Sequence, residues 1–203
     1  MMAALSGIHA LLARINSTLL TIGRNISWVL MVLMVFVILL QVFYRYVLND
    51  ALSWPEEAAL SLMIWMMGLI APSAYRWGGF VSIDMLSDRL SSYPRFILQM
   101  FLISVATMVT AVLLREAYIH YSSPILFNSS GLNRMLQDSG INDALGTNME
   151  FRAAYIYLGM VVCFVMMLSV NIELLIRKLG QFVSGPEAFP EPPAPDYLSA
   201  GAE

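Results

Sequence analysis

The fold is decided by residues 25–44, NISWVLMVLMVFVILLQVFY, a stretch of 20 residues without a charged side chain. Three further uncharged stretches follow along the chain, at residues 58–75, 96–114 and 153–172. Each would form a helix of about 27–30 Å, which matches the roughly 30 Å hydrocarbon core of a bilayer. The sequence therefore predicts an all-α membrane protein with four transmembrane helices.

The composition of the whole chain supports a membrane protein. Of its 203 residues, 59% are hydrophobic and only 12% are charged, whereas soluble domains carry roughly 25% charged residues. The net charge is −3 and no basic cluster is present, so nucleic acid is excluded as a partner. The single cysteine, Cys163, lies in the fourth uncharged stretch, where we expect it to be a small buried apolar residue.

We divide the chain into three regions. Residues 1–24 are predicted to form an amphipathic helix at the membrane surface, with an N-terminal extension of the first span as the alternative. Residues 25–178 are predicted to form the membrane domain, and residues 179–203, which are rich in proline and acidic residues, a disordered tail. The predicted spans are residues 25–47, 55–75, 96–118 and 153–176.

The connection between the third and fourth spans, residues 119–152, is too polar to cross a bilayer. Within it, the segment from Ser130 to Gly140 predicts a short amphipathic helix whose apolar positions are Leu132, Met135 and Leu136. Lysine and arginine residues near the span ends number seven on one side and four on the other. Because the side richer in these residues usually faces the cytoplasm, we predict cytoplasmic termini and a periplasmic 119–152 loop.

The spans lack the residues of a reaction centre. No ionisable group lies in the middle of a span, and no metal-ligand spacing or nucleophile–base set is present. We therefore predict no catalytic residue, no metal site and no bound cofactor. Polar groups are instead crowded at the hairpin between the first two spans, where Arg45 precedes Glu56 and Glu57. They represent either ordinary helix-end charges or a polar clasp that fixes the hairpin and presents a docking surface.

Three segments together resemble one protein family. They are QVFYRYVLN at residues 41–49, LSWPEE at residues 52–57 and RWGGFVSID at residues 76–84. In order and spacing they resemble the small membrane subunit, called Q or DctQ-type, of tripartite ATP-independent periplasmic (TRAP) transporters. The resemblance implies partner-binding or structural roles at two ends of the protein. These roles fall to Arg45, Tyr46, Trp54, Glu56 and Glu57 at the periplasmic end, and to Arg76, Gly78, Gly79 and Asp84 at the cytoplasmic turn.

The resemblance also implies a function in the bacterial inner membrane. A Q subunit is a non-catalytic scaffold that pairs with a large elevator-type membrane (M) subunit, which holds the sodium and substrate sites. A periplasmic solute-binding protein (P subunit) delivers the solute, here expected to be a small organic molecule of the carboxylate type. Membrane lipids, including a bound phospholipid, are further expected partners.

Two points remain open from the sequence. The chain could instead be the four-helix subunit of a different membrane complex, such as a channel, an enzyme or another tripartite carboxylate system. Also open is the partner of the short loop helix in a transporter, where we expect Leu132, Met135 and Leu136 to contact either the large subunit or the binding protein.

Overall fold

The computed structural model describes residues 2–78, 91–123, 130–138, 150–152, 154–185 and 189–190. These residues form helices α1 (Met2–Tyr46), α2 (Pro55–Gly78), α3 (Ser92–Ser122), α4 (Ser130–Asp138) and α5 (Ala154–Ser184), and they contain no strand. Helices α1, α2, α3 and α5 are long and apolar enough to cross a membrane. The predicted all-α membrane fold with four spans is confirmed, as is a short helix in the loop before the last span.

Two helix ends differ from the predicted boundaries. Helix α1 runs for 45 residues without a break, so the N-terminal segment continues directly into the first span, as in the alternative of an extension. Its length is about 67 Å, which is more than twice the thickness of the hydrocarbon core. Helix α5 continues to Ser184, into the region that we predicted as a disordered tail, because its apolar pattern persists through Phe182 and Val183.

The turn between α1 and α2 is made by a residue in the left-handed conformation. Asn49 has φ of 53°, and the Asp50 amide donates to the Tyr44 carbonyl at 3.2 Å. This bond spans six positions, and asparagine is the common substitute for glycine where a chain leaves a helix through the left-handed conformation. The Trp54 carbonyl then accepts the Ala58 amide at 3.0 Å, which starts α2. The turn between α1 and α2 therefore contains hydrogen bonds of its own.

The chain divides into two compact units, each containing parts of all four long helices. The first unit comprises Met1–Ile22, Ala71–Val112 and Val165–Glu203, and the second comprises Gly23–Ile70 and Leu113–Phe164. The apolar core of the first unit consists of Leu20, Ile103, Val170 and Leu174. In the second unit, Gly68 of α2 lies so close to α5 that a Cβ atom there would be 2.8 Å from the Gly159 carbonyl oxygen.

Large apolar side chains point outward from the long helices. Val29 and Phe36 of α1 are 66% and 61% exposed, and Met108 of α3 is 71% exposed. Asn171 and Glu173 of α5, by contrast, are completely buried. Since soluble proteins rarely expose long apolar faces, this arrangement is that of a protein surrounded by lipid or by apolar partner surfaces.

Candidate functional site

A buried ion pair lies in the first unit. Arg76, near the end of α2, donates from Nη2 to Oε1 of Glu173 on α5 at 2.5 Å, and both side chains are fully buried. The two residues are 97 positions apart in the sequence. A charge removed from water costs several kcal/mol unless it is paired and hydrogen-bonded, so this site requires its full set of partners.

The second oxygen of the Glu173 carboxylate is bound by Asn16 of α1. Asn16 Nδ2 donates to Glu173 Oε2 at 2.7 Å and to the Ser169 carbonyl at 3.3 Å. The amide oxygen of Asn16 accepts from Ser169 Oγ at 2.7 Å. Both oxygens of Glu173 and the whole amide group of Asn16 are therefore occupied by neighbouring protein groups. A carboxylate bound in this way is held in place rather than presented to a ligand.

Two further hydrogen bonds of Arg76 go to α1, while its buried Nε has no hydrogen-bond partner among the described residues. Its Nη1 donates to Ser17 Oγ at 2.8 Å, and Nη2 also contacts the Ala13 carbonyl at 3.3 Å. The guanidinium lies 4.9 Å from the centre of the Trp77 ring, a distance typical of a cation–π interaction. Arg76 thus joins α1, α2 and α5, which makes it the most connected of the site residues that the sequence predicted.

A second branch of hydrogen bonds reaches α3. Tyr75 Oη donates to Asn171 Oδ1 at 2.5 Å, and Asn171 Nδ2 donates to Thr110 Oγ1 at 3.3 Å. Thr110 Oγ1 in turn donates a hydrogen bond to the Ala106 carbonyl at 2.7 Å. We call these groups the polar cluster, which consists of Asn16, Ser17, Tyr75, Arg76, Thr110, Ser169, Asn171 and Glu173.

The pattern of α1 explains why its polar face meets this cluster. The buried positions His9, Asn16, Leu20, Gly23 and Ser27 recur every three, four or seven residues, which defines one face of a helix. The apolar positions predicted to lie on the membrane surface are outside this face, with Ile8, Leu11 and Ile15 45–61% exposed. The amphipathic helix is therefore present, with its polar face packed on the protein and its apolar face outward.

A smaller polar site lies in the second unit, at the start of α2. One carboxylate oxygen of Glu57, Oε2, accepts the backbone amides of Gly131 at 3.1 Å and Leu132 at 3.4 Å. These are first-turn amides of α4, which have no partner within their own helix. Glu57 therefore caps α4, and its negative charge also favours the positive end of that helix.

Two further contacts hold the loop helix in place. A Cβ atom at Gly131 would lie 2.8 Å from the Ser53 carbonyl oxygen, so the close approach of α4 to the hairpin requires glycine at this position. Asn133 Oδ1 accepts the Phe151 amide at 2.6 Å. Leu132 and Leu136 are half-buried, and the side chain of Met135 lies outside the described residues.

The remaining predicted residues of the hairpin are separate from this site. Arg45 is exposed, and its guanidinium lies 5.9 Å from the centre of the Tyr46 ring. Tyr46 itself is 72% exposed. Glu56 is exposed and Trp54 half-buried, and no ion pair joins Arg45 to Glu56 among the residues that the structure describes. Of Arg45, Glu56 and Glu57, Glu57 is the one whose contact with another element lies among the described residues.

The residues predicted for the other turn are mostly not covered. Gly78 is the last residue of α2, whereas Gly79 and Asp84 lie outside the described residues. Arg76 alone represents this segment in the polar cluster.

Sequence reasoning missed Glu173, Asn16 and Asn171. None of these three residues was singled out from the sequence as a candidate. One signal was available: Asn171 and Glu173 lie at the end of the fourth uncharged stretch, where the predicted span still continues. A carboxylate inside a predicted span, residues 153–176, needs a cation, and Arg76 at the end of the second span could have been proposed as that partner.

Comparison with protein families gives one match. Residues 34–181 match the family model described as "Tripartite ATP-independent periplasmic transporters, DctQ component". Comparison with curated protein sequences finds no significant match. The matched range covers most of the chain, including α2, α3, α4 and the Arg76 and Glu173 pair. The protein is thus a multi-pass membrane protein that belongs to the DctQ family of TRAP transporter components.

Proposed function

We propose that this chain is the non-catalytic scaffold and docking subunit of a sodium-driven, binding-protein-dependent secondary transporter in a bacterial inner membrane. In this proposal it pairs with a large elevator-type M subunit, which holds sodium and substrate, and a periplasmic P subunit delivers a small carboxylate-type solute. Both termini face the cytoplasm. Family membership supports a transporter component over the channel and enzyme alternatives.

The observation that carries the scaffold role is the saturation of Glu173. An ion-coupling carboxylate must exchange its ligands as ions bind and leave, and it therefore needs a free or weakly held oxygen. Here Oε1 is paired with Arg76 and Oε2 with Asn16. A neutralised, hydrogen-bonded pair stabilises one helix arrangement, which suits a stationary subunit.

The outward apolar faces of α1 and α3 support docking. A scaffold subunit must present surface to lipid and to a large membrane partner, and an apolar surface suits both. The loop helix α4 is held by Glu57 and Asn133, with Arg134 exposed. We propose that α4 contributes to the contact with the M or P subunit.

The proposal is tested by reconstitution into liposomes of the chain alone, the chain with the adjacent large permease subunit, and this pair with its binding protein. We expect co-purification of the two membrane subunits and sodium-dependent uptake of a carboxylate solute only in the complete system. Uptake by this chain alone would contradict a scaffold role. Failure to co-purify with a permease would contradict the docking role.

A second experiment separates scaffolding from ion coupling. In the complete transporter, Glu173→Gln is compared with Glu116→Gln, which changes an exposed carboxylate of α3. We expect Glu173→Gln to reduce the yield and thermal stability of the complex, while the sodium concentration for half-maximal uptake stays unchanged in the folded fraction. A shift in that sodium concentration with Glu173→Gln alone would show that Glu173 takes part in coupling.

A further inference from the structure

Phe189 is buried although it follows the last helix. Its side chain is only 2% exposed, and it is among the largest fully buried side chains of the described residues. The chain leaves α5 at Gly185, which has φ of 86° and whose amide donates to the Gln181 carbonyl at 3.0 Å. A glycine at this helix end permits the left-handed conformation that redirects the chain. The predicted tail is therefore anchored at Phe189.

Three described residues form the seat of the Phe189 ring. Gln181 Nε2 donates to the Phe189 carbonyl at 2.9 Å. The His9 ring on α1 meets the phenyl ring edge-to-face, with centroids 5.4 Å apart and planes at 67°. At Gly180, a Cβ atom would lie 2.5 Å from Phe189 Cε2, so the ring occupies the space that any other residue at position 180 would fill.

The residue under the ring is sensitive to water. His9 is 4% exposed, and its Nε2 atom has no hydrogen-bond partner among the described residues. Burial of such a nitrogen without a partner costs free energy, and water that reached it would relieve part of that cost. The dry state of His9 therefore depends on the side chain that excludes water from it. His9 lies two helical turns before Asn16 on the buried face of α1, and therefore next to the polar cluster.

We propose that Phe189 is an aromatic plug, seated on Gly180, Gln181 and His9, that keeps water from His9 and from the adjacent end of the polar cluster. The plug connects the segment after α5 to the beginning of α1. Displacement of Phe189 hydrates His9 and loosens the ends of both helices. This device does not depend on the transport function proposed above.

The test uses full-length chain in which Cys163→Ala removes the native thiol and His9→Cys places a reporter under the ring. The rate of modification by a membrane-impermeant maleimide is measured with Phe189 intact and with Phe189→Ala. Loss of a buried phenyl ring should increase the rate at least about tenfold. The matched control is Phe182→Ala, which removes a 50% exposed ring near the end of α5 and should leave the rate unchanged.

A second arm displaces the ring without altering it. In the same reporter background, Gly180→Ala introduces a methyl group where the ring lies, and it should accelerate modification as Phe189→Ala does. The control is Gly7→Ala on α1, since a Cβ atom at Gly7 meets nothing within 4 Å. Alanine ordinarily favours a helix over glycine, so faster modification with Gly180→Ala alone points to the ring.

Hydrogen exchange of the chain with its native His9 provides an independent measurement. Phe189→Ala should speed amide exchange in the first turns of α1 and the last turns of α5, and Phe189→Leu, which retains most of the apolar volume, should remain close to the native chain. The plug is wrong if Phe189→Ala leaves both exchange and thiol modification at native rates. It is equally wrong if Phe182→Ala raises them to the same extent.

Discussion

The contacts inside the first unit of this protein differ in kind from those inside the second. In the first unit, a buried arginine and glutamate with their hydrogen-bonding partners join α1, α2 and α5, and a second set of hydrogen bonds through Asn171 joins α2, α5 and α3. In the second unit, backbones approach closely at Gly68 and Gly131, and the polar contacts go mainly to backbone groups. Ser27 Oγ, for instance, donates to the Gly23 and Met66 carbonyls.

This difference indicates which kind of substitution each unit tolerates. A buried charge pair is strongly unfavourable in any arrangement that separates its members, so it selects one register of the helices. Small residues instead permit close packing through many weak contacts, and they fail by steric overlap when enlarged. The first unit should therefore be most sensitive to loss of a group, and the second to addition of one.

The largest effect is expected from breaking the ion pair. Glu173→Ala leaves Arg76 buried without its counter-charge and should lower the free energy of unfolding by about 3–5 kcal/mol. Chemical or thermal denaturation in detergent measures this loss. The double variant Arg76→Met with Glu173→Leu should recover most of the stability, because an apolar pair carries no desolvation penalty. If the single and double variants are equally unstable, the charges are not what holds the first unit.

Enlarging a glycine should be the next most damaging change, now in the second unit. Gly68→Ala places a methyl group 2.8 Å from the Gly159 carbonyl oxygen and should cost about 1–3 kcal/mol through forced separation of α2 and α5. Gly7→Ala, with open space around it, should be neutral or slightly stabilising. If the two variants are equally stable, close packing at Gly68 is not what stabilises the second unit.

Loss of the Glu57 cap should have a smaller and more local effect. Glu57→Ala removes the acceptor for two amides of α4 and should cost about 1–2 kcal/mol. Hydrogen exchange should accelerate in α4 and stay unchanged in the first unit. Glu56→Ala, at the exposed neighbouring carboxylate, serves as the control. Faster exchange with Glu56→Ala as well would assign the effect to the start of α2 and not to α4.

The smallest expected effect concerns the outer branch of the polar cluster. Tyr75→Phe removes the hydroxyl that donates to Asn171 and should lower stability by about 1 kcal/mol. Tyr46→Phe, at a residue that is 72% exposed, should change it by less than about 0.5 kcal/mol. Comparing the two melting temperatures shows whether the hydrogen bonds that reach α3 contribute to stability. Equal values would limit the stabilising part of the cluster to Arg76, Glu173 and Asn16.

Much of the fold was predictable because it depends on local composition. The four spans follow from stretches without charge, and α4 follows from Ser130 with apolar residues at helical spacing. The end of α5 was less predictable, since its apolar pattern continues past residue 178 into a region rich in proline and acidic residues. Of the candidate site, Arg76 and Glu57 were singled out from the sequence, but the roles shown for them, in the ion pair and in the α4 cap, require partners 97 and 74 positions away.

By itself, the sequence of this protein determined its class, its spans and its family motifs. Stretches without charge and the order of motifs can both be read directly along the chain. Only the tertiary structure decided which face of α1 is inward, since periodicity distinguishes two faces without stating which one meets lipid. It also decided that Asn16 and Glu173, 157 positions apart, share one hydrogen bond. The physical reason is that a buried polar group is stable only with its partners, and those partners are brought together by packing.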